Sequence, residues 1–205
     1  MNVPYTITAD GFERQWQINY IAPHVLDHFF LPYLVMAASI HERQDRVRVI
    51  HVSSDLSRRG PSTINLSDPN MPSSNSPLAL MNRYSHSKQA TIRDAHVFNS
   101  LHADKGVTAY SLHPGLVRSG LQDQNRTLLG SFTRANVALM GSPVIEVCRN
   151  TLFVATSAQA PAIGQGQYFR PVGNLEPRTK WFEDTKTNQA LWEHGESQVR
   201  RLGPV

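Results

Sequence analysis

The length, composition and charge of this chain exclude several classes of protein. It has 205 residues, 40% of them hydrophobic, which is enough for one domain with a substantial core. Its formal net charge of +4 comes from scattered basic residues, with Arg58-Arg59 and Arg200-Arg201 as the only doublets, so we do not expect a nucleic-acid-binding face.

The single cysteine and the apolar segments bear on where the protein works. Cys148 cannot form an internal disulfide, which is typical of a reducing compartment, and we expect a cytoplasmic protein. The mostly apolar segment Val144-Ile145-Glu146-Val147 beside it predicts a buried thiol in a helix core. No uninterrupted apolar run reaches the ~20 residues that cross a bilayer, and no signal-peptide pattern opens the chain. We therefore expect no transmembrane segment.

The first half of the chain contains one predicted helix, one predicted strand and a long loop. Apolar periodicity from Gly11 to Ala38 predicts a long helix, which Pro23 would kink. The β-branched run at 47–53 predicts a strand that delivers serine hydroxyls at its carboxyl end. Residues 57–77 are rich in Ser, Pro and Asn and predict a loop where a substrate would enter.

The next segments predict a helix and a second strand. Residues 79–104 have a helical pattern, and Gly106 is a suitable stop. Residues 107–112 predict a short strand that runs into a loop with Pro and Gly, where the backbone must approach something closely. Residues 121–140 form a long segment between this loop and the next predicted helix.

The C-terminal third predicts a further helix, a short strand and a tail. Ser142 and Pro143 have the pattern of an N-cap and a first helical position, in a helix that runs to about Ser157. A short strand is predicted near 167–169, and residues 171–205 form a C-terminal tail with a helix. We expect residues 1–205 to form a single α/β domain.

Tyr84 and Lys88 form the most informative pair in the sequence. Four residues apart in a helix, their side chains project from the same face. A neighbouring ammonium favours the phenolate and lowers the tyrosine pKa from about 10, which suits proton transfer to or from an alcohol oxygen. The pair is a weak signal alone, but ligands of open α/β sheets bind at the carboxyl ends of the strands, where the serines and the Pro-Gly loop also lie.

Five short motifs follow one another along the chain: Asp10-Gly11-Phe12-Glu13, Gln17-Ile18-Asn19, Val52-Ser53-Ser54, Tyr84-x-x-x-Lys88 and His113-Pro114-Gly115. In order, spacing and context they resemble the short-chain dehydrogenase/reductase superfamily, and most closely its retinol-dehydrogenase-like and WW-domain-oxidoreductase-like branch. The resemblance covers about residues 1–170, and residues 187–193 are similar to the C-terminal helix of that branch. It implies a Rossmann-type, doubly wound parallel sheet.

The resemblance also implies a catalytic set. Tyr84 would be the proton donor or acceptor, and Lys88 would lower its pKa and hold the nicotinamide ribose. Ser54 would hydrogen-bond the reacting oxygen; it is preferred to Ser53 because adjacent strand side chains point to opposite faces. Asn19 would anchor a water molecule in a proton relay behind Lys88.

The cofactor and substrate follow from the same resemblance. Asn19, Tyr84, Lys88 and the loop residues after the second strand would bind the cofactor; the loop residues are Pro114, Gly115, Val117 and Ser119. NADP is expected, with NAD as the alternative. The substrate would be a small apolar alcohol or ketone, such as a retinoid, steroid, lipid or secondary metabolite. A homodimer could form through the two long helices.

Some family motifs are absent from the sequence. It contains no G-x-x-x-G-x-G turn to seat a pyrophosphate, no Asn-Asn-Ala-Gly segment and no selector for the adenosine ribose. We therefore expect a partial domain that begins after the first strands. Three interpretations stay open: an oxidoreductase completed by a missing segment, a catalytically silent relative that binds or dimerises, and a complete enzyme whose recorded start is misplaced.

Two other chemistries are considered and disfavoured. His24 and His28 have a metal-ligand spacing, but the Glu of H-E-x-x-H is absent and no third ligand is evident, so structural histidines are favoured. His113 is likewise expected to be structural. A serine hydrolase would need a G-x-S-x-G nucleophile elbow, and the sequence has none.

Overall fold

The computed structural model describes residues 3–40, 46–117, 141–177 and 179–203. Its centre is a sheet of four strands in the order β1-β2-β3-β4, in which β1 to β3 are parallel and β4 is antiparallel to β3. The strands are β1 (Val47–Val52), β2 (Val107–Leu112), β3 (Tyr168–Arg170) and β4 (Asn174–Leu175). The expected α/β class with a parallel sheet is confirmed, and β2 has the predicted bounds.

The N-terminal helix, α1, runs from Arg14 to Ser39 and contains a π-helical turn at Gln17–Ile21. It begins three residues later than predicted because Glu13 caps it, its side chain accepting from the N–H groups of Gln15 and Trp16 at 2.8 and 3.0 Å. The irregular turn comes just before Pro23, which cannot donate a backbone hydrogen bond. The predicted disturbance of the helix at Pro23 is therefore a π-helical turn.

Helix α2 (Pro77–His102) follows the long loop and crosses the sheet. Ser76 caps it, and Pro77 occupies the first turn, where no N–H is needed. A short 3₁₀ segment, Ala103–Lys105, ends at Gly106 with φ +80°, which confirms Gly106 as the stop. The remaining helices are α3 (Val144–Thr156), α4 (Ala160–Gly164), α5 (Thr179–Phe182) and α6 (Thr185–Leu202).

The two faces of the sheet are covered by different helices. Val47 and Val49 pack with Phe98 of α2, while Ile50 packs on the other face with Val154 of α3. This alternation is the period-2 pattern of a strand buried on both sides. Helix α6 closes a third cluster through Leu191, which is fully buried between α1 and α2. The carboxyl ends of β1 and β2 are thereby held side by side.

Two predictions about α3 are wrong. Its N-cap is Pro143, with no side-chain capping bond, and Ser142 instead lies in a backbone bridge in which its N–H donates to the Leu116 carbonyl at 2.8 Å. Cys148 is exposed. The helix buries Val147, Asn150 and Val154 against the sheet, and Cys148 lies outside that stripe.

Helix α1 also differs from expectation in its apolar character. Over Arg14–Ser39 it is long and apolar enough to be a candidate membrane span, with a mean hydropathy of 1.3 in a window of which 17% is buried. Core helices of soluble proteins meet the same criterion. The helix carries His24, which pairs with Asp94 in the protein interior, so α1 is packed as part of this domain.

Candidate functional site

The serine and tyrosine of the predicted site meet at the carboxyl end of β1. Ser54 is buried and caps the 3₁₀ segment Asp55–Arg59, its hydroxyl accepting from the Leu56 N–H at 3.2 Å. Its side chain lies near enough to the Tyr84 phenol, half-buried on α2, to lower the pKa of that phenol. Ser53 points elsewhere and donates to the Lys88 carbonyl at 2.7 Å. The structure thus brings Ser54, and not Ser53, to the phenol.

The protonation of Tyr84 is set mainly by burial. Burial raises the pKa of Tyr84 above its usual value, and the hydrogen bond with Ser54 lowers it by a smaller amount. The expected lowering by Lys88 is not found. The Lys88 ammonium instead donates to the Val52 carbonyl at the end of β1, at 2.8 Å. Burial lowers the pKa of Lys88 itself to about 8.

Asn19 lies against the helix that carries Tyr84 and Lys88. Its side-chain amide donates to the Ser87 hydroxyl at 2.9 Å, and its backbone carbonyl accepts from the Thr91 hydroxyl at 2.7 Å. Pro23, four residues later, has no N–H to offer that carbonyl. Asn19, Thr91 and Lys88 line one cavity of about 340 Å³ between α1 and β1, which is large enough for water molecules.

The Pro-Gly loop follows β2 as predicted and is fixed by backbone contacts. Gly115 has φ +111°, a conformation that side-chain-bearing residues rarely adopt. Val117 pairs in a parallel bridge with Ser142, and His113 donates its N–H to the Phe169 carbonyl at 2.8 Å. Pro114 lies between these anchors. Ser119 lies outside the described residues, and so do residues 121–140, which the family resemblance implies to be a variable region that closes over the substrate.

The histidines of α1 are held by carboxylates. His24 Nδ1 lies 2.9 Å from Asp94 Oδ1, and both His24 and His28 approach Glu196 at 3.3 Å. Asp94 and Glu196 raise the pKa of His24 against the opposing effect of burial. These contacts give the pair a structural role, and no cluster of three metal-ligating side chains occurs among the described residues.

One part of the site was not found by sequence reasoning. Asp55, directly after Ser54, accepts from the Tyr168 hydroxyl at 2.9 Å and pairs with Arg170 at 2.7 Å. Both partners lie on β3, more than a hundred residues away. The only available signal was an acidic residue beside the serine pair.

The residues at the strand ends suit the nicotinamide end of a dinucleotide. Lys88 offers a donor with a lowered pKa, Tyr84 offers a half-buried phenol, and the Gly115 turn lets backbone approach a ring. A pyrophosphate needs successive backbone N–H groups at a glycine-rich turn, and the sequence has no such motif. The chain therefore fits one end of the cofactor.

Comparisons with known proteins agree with the fold and with the motif series. No family model matches the chain. It is 29% identical over 212 residues to the short-chain dehydrogenase/reductase drtF of Aspergillus calidoustus. That match covers 98% of this chain and 66% of drtF. It is 29% identical to mouse retinol dehydrogenase 14, over 96% of this chain and 55% of that protein. The chain thus spans between about half and two thirds of these relatives' lengths.

Solved structures share the fold of this chain. A putative uncharacterized protein from Mycobacterium paratuberculosis matches 98% of this chain and 63% of its own, with a TM-score of 0.65 and 25% identity. An NADPH-bound carbonyl reductase from chicken fatty liver matches 85% of this chain with a TM-score of 0.51 and 20% identity, and this likeness concerns the fold. The protein is an α/β protein of Rossmann type. Its sequence is similar to those of proteins named as short-chain dehydrogenases/reductases.

Proposed function

We propose that this chain carries the proton-transfer site of a nicotinamide-dependent oxidoreductase that interconverts an alcohol and a carbonyl compound. The observation that carries the proposal is the placement of the buried Ser54 side chain beside the half-buried Tyr84 phenol, with Lys88 one turn further along α2. Bound cofactor would supply or accept the hydride. NADP is the expected form, with NAD as the alternative.

The residues have distinct tasks in this proposal. In the reducing direction, the Tyr84 hydroxyl protonates the carbonyl oxygen as that oxygen gains negative charge. Ser54 donates a hydrogen bond to the same oxygen and fixes its distance from the phenol. Because the pKa of Tyr84 is raised, the phenol is a proton donor at neutral pH, which favours carbonyl reduction.

Lys88 and Asn19 would return a proton to Tyr84. The Lys88 pKa of about 8 lets it release and accept a proton close to neutral pH. Water molecules in the cavity that Asn19, Thr91 and Lys88 share would connect this ammonium to solvent. The Pro114–Val117 loop would cover one side of the nicotinamide, with Ser119 continuing it.

The proposal extends to the substrate and the cellular location. The names of the relatives, among them retinol dehydrogenase 14, support a small apolar alcohol or ketone. The exposed Cys148 is compatible with a cytoplasmic protein, where free thiols remain reduced.

Cofactor binding also requires a seat for the pyrophosphate. Among the described residues, β1 pairs only with β2, so its other edge is open to a further strand. We propose that a segment docking on this edge supplies the glycine-rich turn, either in the same polypeptide or from a partner chain.

A second candidate function is a catalytically silent relative that binds a second copy of itself. Helix α1 exposes large apolar side chains at helical spacing on one stripe, and this favours the second candidate. The stripe contains Ile18, Leu26, Phe30, Tyr33 and Met36.

NADPH binding separates the two candidates. The oxidoreductase should show quenching of tryptophan fluorescence and a rise in thermal stability when NADPH is added, and should consume NADPH in the presence of apolar ketones. A protein that shows neither binding nor turnover, but forms dimers, would be the silent relative.

A further inference from the structure

Three ion pairs, closed into a ring by the backbone of one 3₁₀ segment, lie beside Ser54. Asp55 pairs with Arg170 at 2.7 Å, Arg170 with Glu176 at 3.1 Å, and Glu176 with Arg58 at 2.6 Å. Asp55 and Arg58 belong to the same 3₁₀ segment, Asp55–Arg59. Arg170 and Glu176 lie on β3 and just after β4. The ring therefore joins the turn after Ser54 to the β3–β4 hairpin at two points.

The Asp55 carboxylate reaches all three parallel strands at their carboxyl ends. It follows β1 in the chain, accepts from the fully buried Tyr168 of β3 at 2.9 Å, and lies 3.9 Å from His113 Nε2 after β2. The backbone carbonyl of His113 accepts from the Asn150 side-chain amide at 2.7 Å. His113 comes directly before the Pro-Gly loop. One side chain thus connects the serine turn to the loop on the nicotinamide side.

Exposure of the ring indicates what it can contribute. The side chains of Arg58 and Arg170 are 49% and 47% exposed, whereas those of Asp55 and Glu176 are 22% and 16% exposed. Ion pairs of half-exposed arginines contribute little to the stability of a fold. Three ion pairs that hold the 3₁₀ segment at two points can still restrict its orientation relative to the β3–β4 hairpin.

We propose that Asp55 is a positioning residue, which holds the Ser54 hydroxyl against Tyr84 by fixing the 3₁₀ segment to β3. The proposal rests on the proposed function only in treating Ser54 and Tyr84 as the reacting pair. Ser54 is the cap of the segment, so a rotation of that segment moves its hydroxyl directly. Without the carboxylate, the hydroxyl is free to leave the phenol.

The titration of Tyr84 tests this without any turnover. The Ser54 hydrogen bond lowers the pKa of Tyr84, so Asp55→Asn should raise that pKa further. The phenolate absorbance of each protein would be followed against pH, with the same protein carrying Tyr84→Phe subtracted to isolate this tyrosine. Glu146→Gln is the matched control, because Glu146 pairs with Arg149 at 2.9 Å on α3, away from the site, and should change nothing.

A second titration reports on the loop. Burial lowers the pKa of His113 below its usual value, and Arg170 also lowers it. Asp55, and to a smaller extent Glu176, act in the opposite direction and raise it. Asp55→Asn should therefore lower the His113 pKa, as measured by NMR with His113→Gln as the assignment variant. Arg170→Gln breaks the ring from the hairpin side and should raise the Tyr84 pKa in the same direction as Asp55→Asn.

The outcomes separate cleanly. An unchanged Tyr84 titration in folded Asp55→Asn and Arg170→Gln would overturn the proposal, and so would loss of folding in Asp55→Asn, which would make the residue a structural one. Where turnover is present, Asp55→Asn should reduce kcat by about 10- to 100-fold with KM little changed, and Asp55→Glu should recover part of it. If Tyr84→Phe keeps full turnover, the proposed function fails while the Tyr84 titration still decides the role of Asp55.

Discussion

At the scale of single residues, burial decides protonation in and around the site. Tyr84 and Lys88 both shift towards their neutral forms, since burial raises the pKa of the phenol and lowers that of the ammonium. His86, two residues after Tyr84, follows the same rule: burial lowers its pKa to about 4. The neutral ring stacks on Trp16 at 4.7 Å and accepts the Asn65 N–H at 3.1 Å. It thereby attaches the long loop to the turn of α2 that carries the tyrosine.

His86 should make the protein less stable in mild acid. Its folded-state pKa of about 4 lies below the usual 6.5, so the unfolded chain binds a proton first as the pH falls. Stability from this residue is complete above pH ~6.5 and is lost towards pH ~4, at about 1 kcal/mol per pH unit. His86→Gln retains an acceptor for Asn65 without the titration, so urea unfolding should show a flatter dependence on pH in that range.

The control for that experiment is His28→Gln on the exposed side of α1. The His28 side chain is 50% exposed, so its removal should leave the pH dependence close to that of the original protein. An equally steep loss of stability in His86→Gln would show that other buried groups cause the acid sensitivity.

At the scale of secondary-structure elements, buried polar contacts determine how the helices fit together. Helix α1 is tied to α2 and α6 by His24 with Asp94 and Glu196, and to β1 by Asp27, which lies 2.8 Å from His51. Neighbouring carboxylates raise the pKa of His24 and of His51. Both pairs therefore stabilise the fold fully below pH ~6.5, and their contribution is lost as the pH rises through the folded-state values.

Gly195 of α6 is needed where that helix meets His24. A Cβ at this position would lie 2.6 Å from the His24 ring, and the ring is held by two carboxylates. Gly195→Ala should therefore destabilise the protein by about 1–3 kcal/mol, although alanine usually favours a helix. Thermal unfolding would measure this, with Glu193→Ala on the exposed face as the control. Higher stability in Gly195→Ala would show that His24 can move aside.

Element by element, the sequence predicted what depends on local pattern. The bounds of β2 and the stop at Gly106 follow from a β-branched run and from a glycine that ends a helical pattern. The exposure of Cys148 did not, because an apolar run does not reveal which side of a helix meets the sheet. The Asp55 contacts are equally hidden from the sequence, since they depend on the registers of β1 with β2 and of β2 with β3.

At the scale of the whole molecule, two surfaces have the properties of binding surfaces. One is the edge of β1 that is unpaired among the described residues, and the other is the apolar stripe of α1. The chain spans about half to two thirds of the lengths of the relatives that it matches. The stripe supports self-association.

The stripe can be tested by substituting one residue. Phe30 is 48% exposed in the middle of it, and a charge there should prevent two copies from burying this surface. In light scattering after size exclusion, the original protein should have the mass of a dimer and Phe30→Glu the mass of a monomer. Leu78→Glu, at an exposed leucine on α2, should remain dimeric. A monomeric original protein would remove self-association from the account.

The central claim is that Tyr84 transfers the proton in a nicotinamide-dependent reaction, and its removal tests that claim most directly. The rate of NADPH oxidation by an apolar ketone would be compared in the original protein, in Tyr84→Phe and in Tyr33→Phe, whose tyrosine is 58% exposed on α1. We predict that Tyr84→Phe lowers kcat by at least about 100-fold with NADPH affinity nearly unchanged, and that Tyr33→Phe retains full activity. Undiminished turnover in Tyr84→Phe would contradict the account.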